Sequence, residues 1–400
     1  MARVWIYDMS KAKQYKEAVK SAKARGRTPP ARWRVMWYDN TGTQKSQSCA
    51  TKTMAENRRA EIERTLLDGT YVDPAAARAQ FSEMADKCLD ARHDLRPTTW
   101  WKYRGLLDNH VLSQWGELPL NKILKEDIEV WVAKLLKSKD DGGSGLGPSQ
   151  ARHAYRVLSM VLEWCVPARL PRNPARGVKV PVLPEYEHIY LSYEQVEALA
   201  EASRTLVTKY KQPTACAPIN PVFMRLLAYT GIRWGEAAAL RIGRVDLAKR
   251  RIRIASTFYE LNGVQHEGLP KNGKPRTVPI PEFLCHDLAA LIAGRDENEL
   301  LFLTRRKQSL RANNWRTREF NAAVATAELD IPGLTPHKLR HTAASLAIAS
   351  GADVKVIQTM LGHKDASMTL DIYGHLFPDR LDEVAVALDR NRRRALKDVA

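Results

Sequence analysis

Long apolar runs are missing from this 400-residue chain: none approaches the roughly eighteen residues a membrane-spanning helix needs. The first fifteen residues are polar and basic and contain no apolar core of a secretion signal. Cysteine is scarce: Cys49, Cys88, Cys165, Cys216 and Cys285 are scattered, odd in number and without a C-x-x-C pair. A disulfide frame and a cysteine metal site are therefore not expected, and a reduced, cytoplasmic setting is. No internal repeat is visible. Acidic residues are short as well: 45 Asp+Glu face 63 Lys+Arg, leaving a formal charge of +18 and a pI near 9.7. Such an excess calls for a polyanionic partner, and nucleic acid is the usual one. A membrane surface is the weaker choice, because no basic amphipathic helix stands beside an apolar anchor.

What is present divides the chain. Residues 1–75 carry 15 Lys+Arg against 8 Asp+Glu. Val4-Trp5-Ile6-Tyr7 and Arg32–Tyr38 suggest strands, and the Asp39-Asn40-Thr41-Gly42 turn leads to a polar third strand ending near Cys49. A helix from about Met54 to Leu67 follows. Basic strands with interleaved tryptophans suit contact with a DNA backbone or groove; alternatively the tryptophans are the core of a solvated accessory module. Residues 76–170 suggest a four- or five-helix bundle, with helices over Phe81–Leu89, Thr98–Val111, Lys125–Leu136 and Ser149–Cys165. Residues 171–190, proline-rich and aperiodic, suggest an extended linker. Ser192-x-x-Gln195 is a capping box that opens a last domain spanning 191–400.

That domain holds the chemistry. Thr335 as N-cap and Pro336 at the first helical position start a helix on which His337 and Arg340 share one face. Leu339, Ala343, Leu346 and Ala347 make the opposite, core-facing stripe. Gly351 ends it; a second helix (Val354, Ile357, Leu361) closes at Gly362 beside His363, and Tyr373 lies on a third. Earlier, Arg233 and Glu236 open a helix whose N-terminus suits an anion. Glu236 either holds the Arg233 guanidinium or caps the helix. Pro270–Lys274 is a basic turn between strands at Arg253-Ile254 and Thr277–Ile280, and a lysine on such a hairpin tip can reach a leaving group. Arginines, histidines and a phenol suit a phosphodiester: cations for the oxyanion, imidazoles for protons, tyrosine for attack. A rival reading uses His337 and His341, four apart, as metal ligands with His363 or His375. The missing glutamate of H-E-x-x-H and the basic residues between the histidines count against it. Satisfied core histidines are the third reading.

The blocks T-G-I-R-W-G-E-A-A-A-L-R, P-K-N-G-K-P-R-T-V-P-I, H-K-L-R-H-T, L-G-H and T-L-D-I-Y-G-H-L occur in this order across residues 190–377. Together they strongly resemble the tyrosine recombinase (phage integrase) family. The resemblance implies a mainly α protein with small β-sheets. It comprises an N-terminal αβ module similar to the arm-binding domain of lambda-type integrases, a helical core-binding bundle, and a mixed α/β catalytic domain with a C-terminal helix that docks on a neighbouring protomer or, alternatively, packs in cis or frays. It implies that Arg233 and Arg340 clamp the scissile phosphate, that Lys271 protonates the departing 5′ oxygen and that His337 assists proton transfer at the tyrosine. His363 would hydrogen-bond the phosphate, and Tyr373 would attack to form a 3′-phosphotyrosine, with Glu236 in support. No cofactor or metal is implied. The implied partners are double-stranded attachment-site DNA, three further copies in a homotetramer, and DNA-bending and directionality factors of host or element, in a bacterial cytoplasm. Lys338 departs from the family, which commonly has an acidic residue there. The expected function is integration and excision of a mobile element. A Xer-type resolvase, a type IB topoisomerase and a non-cleaving DNA-binding protein are the alternatives.

Overall fold

The computed structural model describes residues 4–39, 41–183, 188–208, 210–377 and 381–397. They fall into two compact units, residues 1–185 and 186–400. Among the described residues no helix is long and apolar enough to cross a membrane.

The first unit contains two cores. β1 (Val4–Asp8), β2 (Trp33–Tyr38) and β3 (Gln44–Cys49) form an antiparallel sheet in that order. Val35 and Trp37, two apart on β2, face the same side and are buried with Ala55 and Ile62 of α2 (Lys52–Leu67). The other face leaves Tyr7 and Tyr38 exposed, beside Trp5. The lysine-rich stretch after β1 forms α1 (Lys13–Ala24), whose Tyr15, Val19 and Ala22 lie half-buried along one side while none of its residues is fully buried. Tyr15 ties it down by donating to the Pro30 carbonyl at 3.0 Å.

The second core belongs to α3 (Phe81–Asp90), α4 (Pro97–Leu106), α5 (Leu112–Trp115), α6 (Lys125–Leu136) and α7 (Pro148–Trp164). The single helix expected over Thr98–Val111 runs through one wide π turn at Leu107–Val111, which turns both Leu107 and Val111 into the core. Trp115 and Trp131 meet edge to face at 5.8 Å. The linker expected over 171–190 begins later than its prolines suggested. Ala175 and Val178 are buried against the bundle, Asn173 donates to Ser159 and Glu163, and Tyr155 donates to the Ala175 carbonyl at 2.6 Å. Those side-chain bonds satisfy a backbone that forms no helix or strand.

In the second unit, the Ser192–Gln195 capping box opens α8 (Tyr193–Arg204), and α9 (Asn220–Thr230) is the central helix. α10 (Trp234–Ala238) is a short turn of helix. β4 (Val245–Asp246), β5 (Arg251–Ile254) and β8 (Arg276–Pro279) form one antiparallel sheet, and β6 (Thr257–Leu261) pairs with β7 (Val264–Gly268) as a separate hairpin. The basic turn is thus the link from β7 to β8, two strands of different sheets, and not the tip of a hairpin. α11 (Glu282–Ile292), α12 (Ala312–Trp315) and α13 (Asn321–Thr326) follow. The last helices are α14 (Pro336–Ala349), α15 (Val354–Leu361), α16 (Ser367–Tyr373) and α17 (Leu381–Lys397).

α14 buries more than one stripe. Leu339 and Ala343 lie in the core as expected, but Ala344 and Ile348 join them while Leu346 and Ala347 stay half-buried. Arg340 and Thr342 are buried too, because α9 and α15 both pack against the helix. Thr335 occupies the N-cap position, but its hydroxyl makes no capping bond. Gly231 ends α9 in the left-handed conformation (φ 65°), and a Cβ there would lie 2.7 Å from Leu361. Only glycine lets the chain turn there and pass so close to α15.

Candidate functional site

The site gathers where the C-terminus of α15 meets α10, β8 and α14. A helix leaves its last carbonyls without intrahelical donors, and here side chains supply them. Arg276 Nε donates to the Met360 carbonyl at 3.1 Å and Arg340 Nη2 to the Leu361 carbonyl at 2.6 Å, while Asn272 donates to the Gly362 carbonyl. Arg340 Nη1 also donates to the Gly231 carbonyl at 2.5 Å. Three consecutive carbonyls thus fasten β8, α14 and the Lys271 turn to one helix end.

Glu236, 1% exposed, is the counter-charge. Each of its oxygens accepts two bonds: Arg276 at 2.9 and 2.6 Å, the Arg233 backbone N–H at 2.9 Å and Arg233 Nη1 at 3.1 Å. Burial alone would raise its pKa, but the hydrogen bonds and charges of Arg276 and Arg233 hold the carboxyl below its ordinary value. Of the two roles open to Glu236 on sequence grounds, it fills both: it holds a guanidinium and accepts from the N–H of Arg233, the N-cap of α10. One carboxylate does not neutralise three guanidinium groups. Burial, Arg233 and Arg276 push the Arg340 pKa down, yet a guanidinium stays protonated at neutral pH.

The imidazoles and the phenol gather beside these groups. His363 follows Gly362, whose left-handed turn (φ 63°) closes α15, and its Nδ1 lies 3.0 Å from the buried Thr369 hydroxyl. Burial first, then Arg340, Arg233 and Arg276, push its pKa down to about 4. Its ring is parallel to Tyr373 at 6.5 Å. Tyr373, the last residue of α16, is 1% exposed, and burial pushes its pKa up to about 12 against the pull of Arg340. Its hydroxyl is 2.8 Å from His341 Nδ1. His337 keeps an open edge to solvent, although the protein crowding its ring and the charges of Arg340, Arg233, Lys338 and Lys271 lower its pKa.

All seven residues singled out in the sequence therefore converge: Arg233, Glu236, His337, Arg340, His363 and Tyr373 around the pocket, with exposed Lys271 at its edge, near enough for its charge to reach His337. The resemblance gives His337 a part in proton transfer at the tyrosine; the phenol's hydrogen bond is to His341, one turn further along α14, and His337 meets His341 edge to face at 5.1 Å. Sequence reading had noticed His341 only as half of a metal-binding pair. Among the described residues no group of three or more His, Cys, Asp or Glu side chains is placed to hold a metal ion. Arg276 and Asn272 were missed as well. Their one signal was their place within P-K-N-G-K-P-R-T-V-P-I, which had been read for its lysine.

Known proteins share this build. Residues 190–380 match the Phage integrase family, and residues 81–136 match the Phage integrase N-terminal SAM-like domain. The chain is 29% identical over 224 residues to tyrosine recombinase XerD of Vibrio vulnificus, covering 53% of this chain and 64% of that protein's length. XerD of Yersinia pestis is 26% identical over 326 residues, 76% of this chain and 96% of the relative. A putative integrase of Pseudomonas phage Pf1 is 29% identical over 240 residues, 58% of this chain and 60% of that one. The fold resembles the Tn1549 transposon integrase in complex with transposon right end DNA (TM-score 0.63, 19% identity, 78% of this chain and 99% of that one). It also resembles a lambda integrase tetramer bound to a Holliday junction (TM-score 0.53, 17% identity, 87% and 93%). The chain belongs to the phage integrase family of tyrosine recombinases.

Proposed function

We propose that this protein cuts and rejoins double-stranded DNA at specific sites through a 3′-phosphotyrosine, integrating and excising a mobile genetic element in a bacterial cytoplasm. The observation that carries this reading is a phenol sharing one pocket with an anion-seeking excess of guanidinium groups.

The scissile phosphate is an anion, and Arg233, Arg340 and His363 surround a space whose net charge suits it. Arg233 and Arg340 stabilise its non-bridging oxygens as charge builds at phosphorus. His363, neutral and oriented by Thr369, and the open edge of His337 donate to those oxygens. Tyr373 Oη attacks phosphorus and loses its proton; the P–O5′ bond breaks, and the departing oxygen takes a proton from Lys271. The phosphodiester energy is kept in the new P–O bond, so the free 5′-hydroxyl of a partner strand can reverse the step without ATP. With a pKa of about 12, only about one phenol in 100,000 is ionised at pH 7, a deficit of about 7 kcal/mol. The clamp on the phosphate and removal of the phenolic proton must address that deficit. Tyr373 is 1% exposed, so the side chains covering its oxygen must part for a phosphate to reach it.

Residues 1–75, with the exposed Trp5–Tyr38 face and a charge of +7, are assigned to arm-type DNA contact. Residues 76–170 are assigned to the core site, and 191–400 to catalysis by a homotetramer on DNA with bending and directionality factors. The test is a nicked duplex carrying the junction sequence found beside the gene. Wild type should give a covalent protein–DNA band that Tyr373→Phe abolishes; a band that survives in Tyr373→Phe, or no band with wild type on bound DNA, refutes the reading. In the second case a non-cleaving DNA-binding protein is the better description.

A further inference from the structure

Resting on the strand-cutting reading above, we propose that His341 is the catalytic base of this site: it takes the Tyr373 proton at Nδ1 as the phenolic oxygen bonds to phosphorus, and it passes that proton to solvent beside His188.

Three observations carry the assignment. First, the contact is direct: Nδ1 stands 2.8 Å from the attacking oxygen, within the range for proton transfer. Among the described residues it is the hydrogen bond recorded for that hydroxyl. A buried, neutral phenol must place its proton on an acceptor, and the unprotonated Nδ1 is the acceptor in reach. Second, His341 is held neutral and so able to accept. The groups bearing on it are His337, Lys338 and Arg340 from α14 itself, His188 from the segment before α8, and Tyr373 from α16; none is a carboxylate. Burial first, then His337, Lys338 and His188, keep its pKa at about 4. A phosphate anion entering between Arg233 and Arg340 offsets the cations, strengthening the base when substrate is present. Third, there is a way out. Tyr373 is 1% exposed, but the half-buried His341 ring lies 5.5 Å from the ring of exposed His188, which is stacked on exposed His375 at 6.2 Å and 13°. Imidazoles thus lead from the covered hydroxyl to the surface.

The protons balance. The one leaving Tyr373 goes to His341 and then to water, while the 5′ oxygen receives a different one from Lys271. Rejoining runs both transfers backwards. Lys338 enters as a tuning charge: it lies on α14 beside this ring, and it lowers the basicity of His341.

The experiment is single-turnover covalent-complex formation by the full chain on the nicked duplex, from about pH 4 to 9. For wild type the rate should rise with pH and then level as His341 becomes fully neutral. In His341→Asn, which keeps an acceptor at the Nδ1 position but cannot take a proton, the rate should fall by about 10²–10⁴. Its plateau should be lost, the rate climbing steadily with pH. Added imidazole should restore part of the rate in His341→Ala. Lys338→Glu, a change at a half-buried position that leaves the ring in place, should move the wild-type limb to higher pH. A His341→Asn rate within threefold of wild type with the same profile overturns the proposal and leaves His341 as a positioning residue. An unmoved limb in Lys338→Glu overturns it as well, and decides the matter if His341→Asn fails to fold. Wild type forming no covalent complex at all would instead overturn the underlying strand-cutting reading, so the two failures are distinguishable.

Discussion

Replacing Glu236 by glutamine should damage both the stability of the second unit and its chemistry. The carboxylate is 1% exposed and each oxygen accepts two bonds from Arg276 and Arg233. An amide turns one acceptor into a donor aimed at guanidinium donors, and it removes the counter-charge from Arg276, whose side chain is 10% exposed. Breaking a buried pair by losing one partner costs about 3–5 kcal/mol, a fall in Tm on the order of 10 °C for a unit of this size. The pH dependence has a definite sign. A carboxyl whose folded pKa is depressed stabilises the fold above its unfolded value of about 4.3 and loses that contribution as pH falls through the folded value. The gap in Tm between wild type and Glu236→Gln should therefore be constant from pH 6 to 8 and shrink on acidification below about pH 4.3. Covalent-complex formation should drop at least about tenfold, because Arg233 loses its tether. Calorimetry across pH, with the nicked-duplex assay beside it, makes the measurement. A Tm within 2 °C of wild type together with an unchanged rate would refute the claim that this carboxylate organises the arginines.

Gly231→Ala should destabilise the second unit by about 1–3 kcal/mol, since φ is 65° and the new methyl would meet Leu361; denaturant midpoints measure it. Thr369→Val should leave DNA affinity unchanged in gel shifts while slowing cleavage, because His363 loses the hydroxyl at its Nδ1. Lys271→Ala should lose about 10²–10⁴ in rate and regain most of it on a duplex whose 5′ bridging oxygen is replaced by sulfur, a leaving group that needs no acid. Deleting residues 1–75 should remove one class of DNA contact and flatten the salt dependence of binding, yet spare cleavage of a core site.

Asn272 shows what the linear chain conceals. It stands next to Lys271, but its importance lies in a hydrogen bond to Gly362, ninety positions away, which docks the lysine turn on the helix carrying the path to His363. Nothing local marks such a residue, because an asparagine in a turn is already explained by turn geometry. His341 is a similar case. Helical spacing puts His337 and His341 one turn apart on the same face, but which of them meets the phenol depends on where α16 packs against α14. The β6–β7 hairpin escaped notice for a different reason: its strands are short and none of their residues is fully buried, so no inward–outward alternation distinguishes them from a loop.

The chain on its own was enough to specify the class of chemistry. Charge, helix periods, glycine stops and five ordered blocks are local properties, and each is readable where it stands. It also singled out a phenol and arginines that the fold brings together. The tertiary structure alone decided who touches whom: that Glu236 serves two arginines, that three side chains cap one helix end, and that His341 is hydrogen-bonded to the phenol. Contacts at 2.5–3 Å between residues far apart in sequence follow from how helices pack, and packing is a property of the whole core.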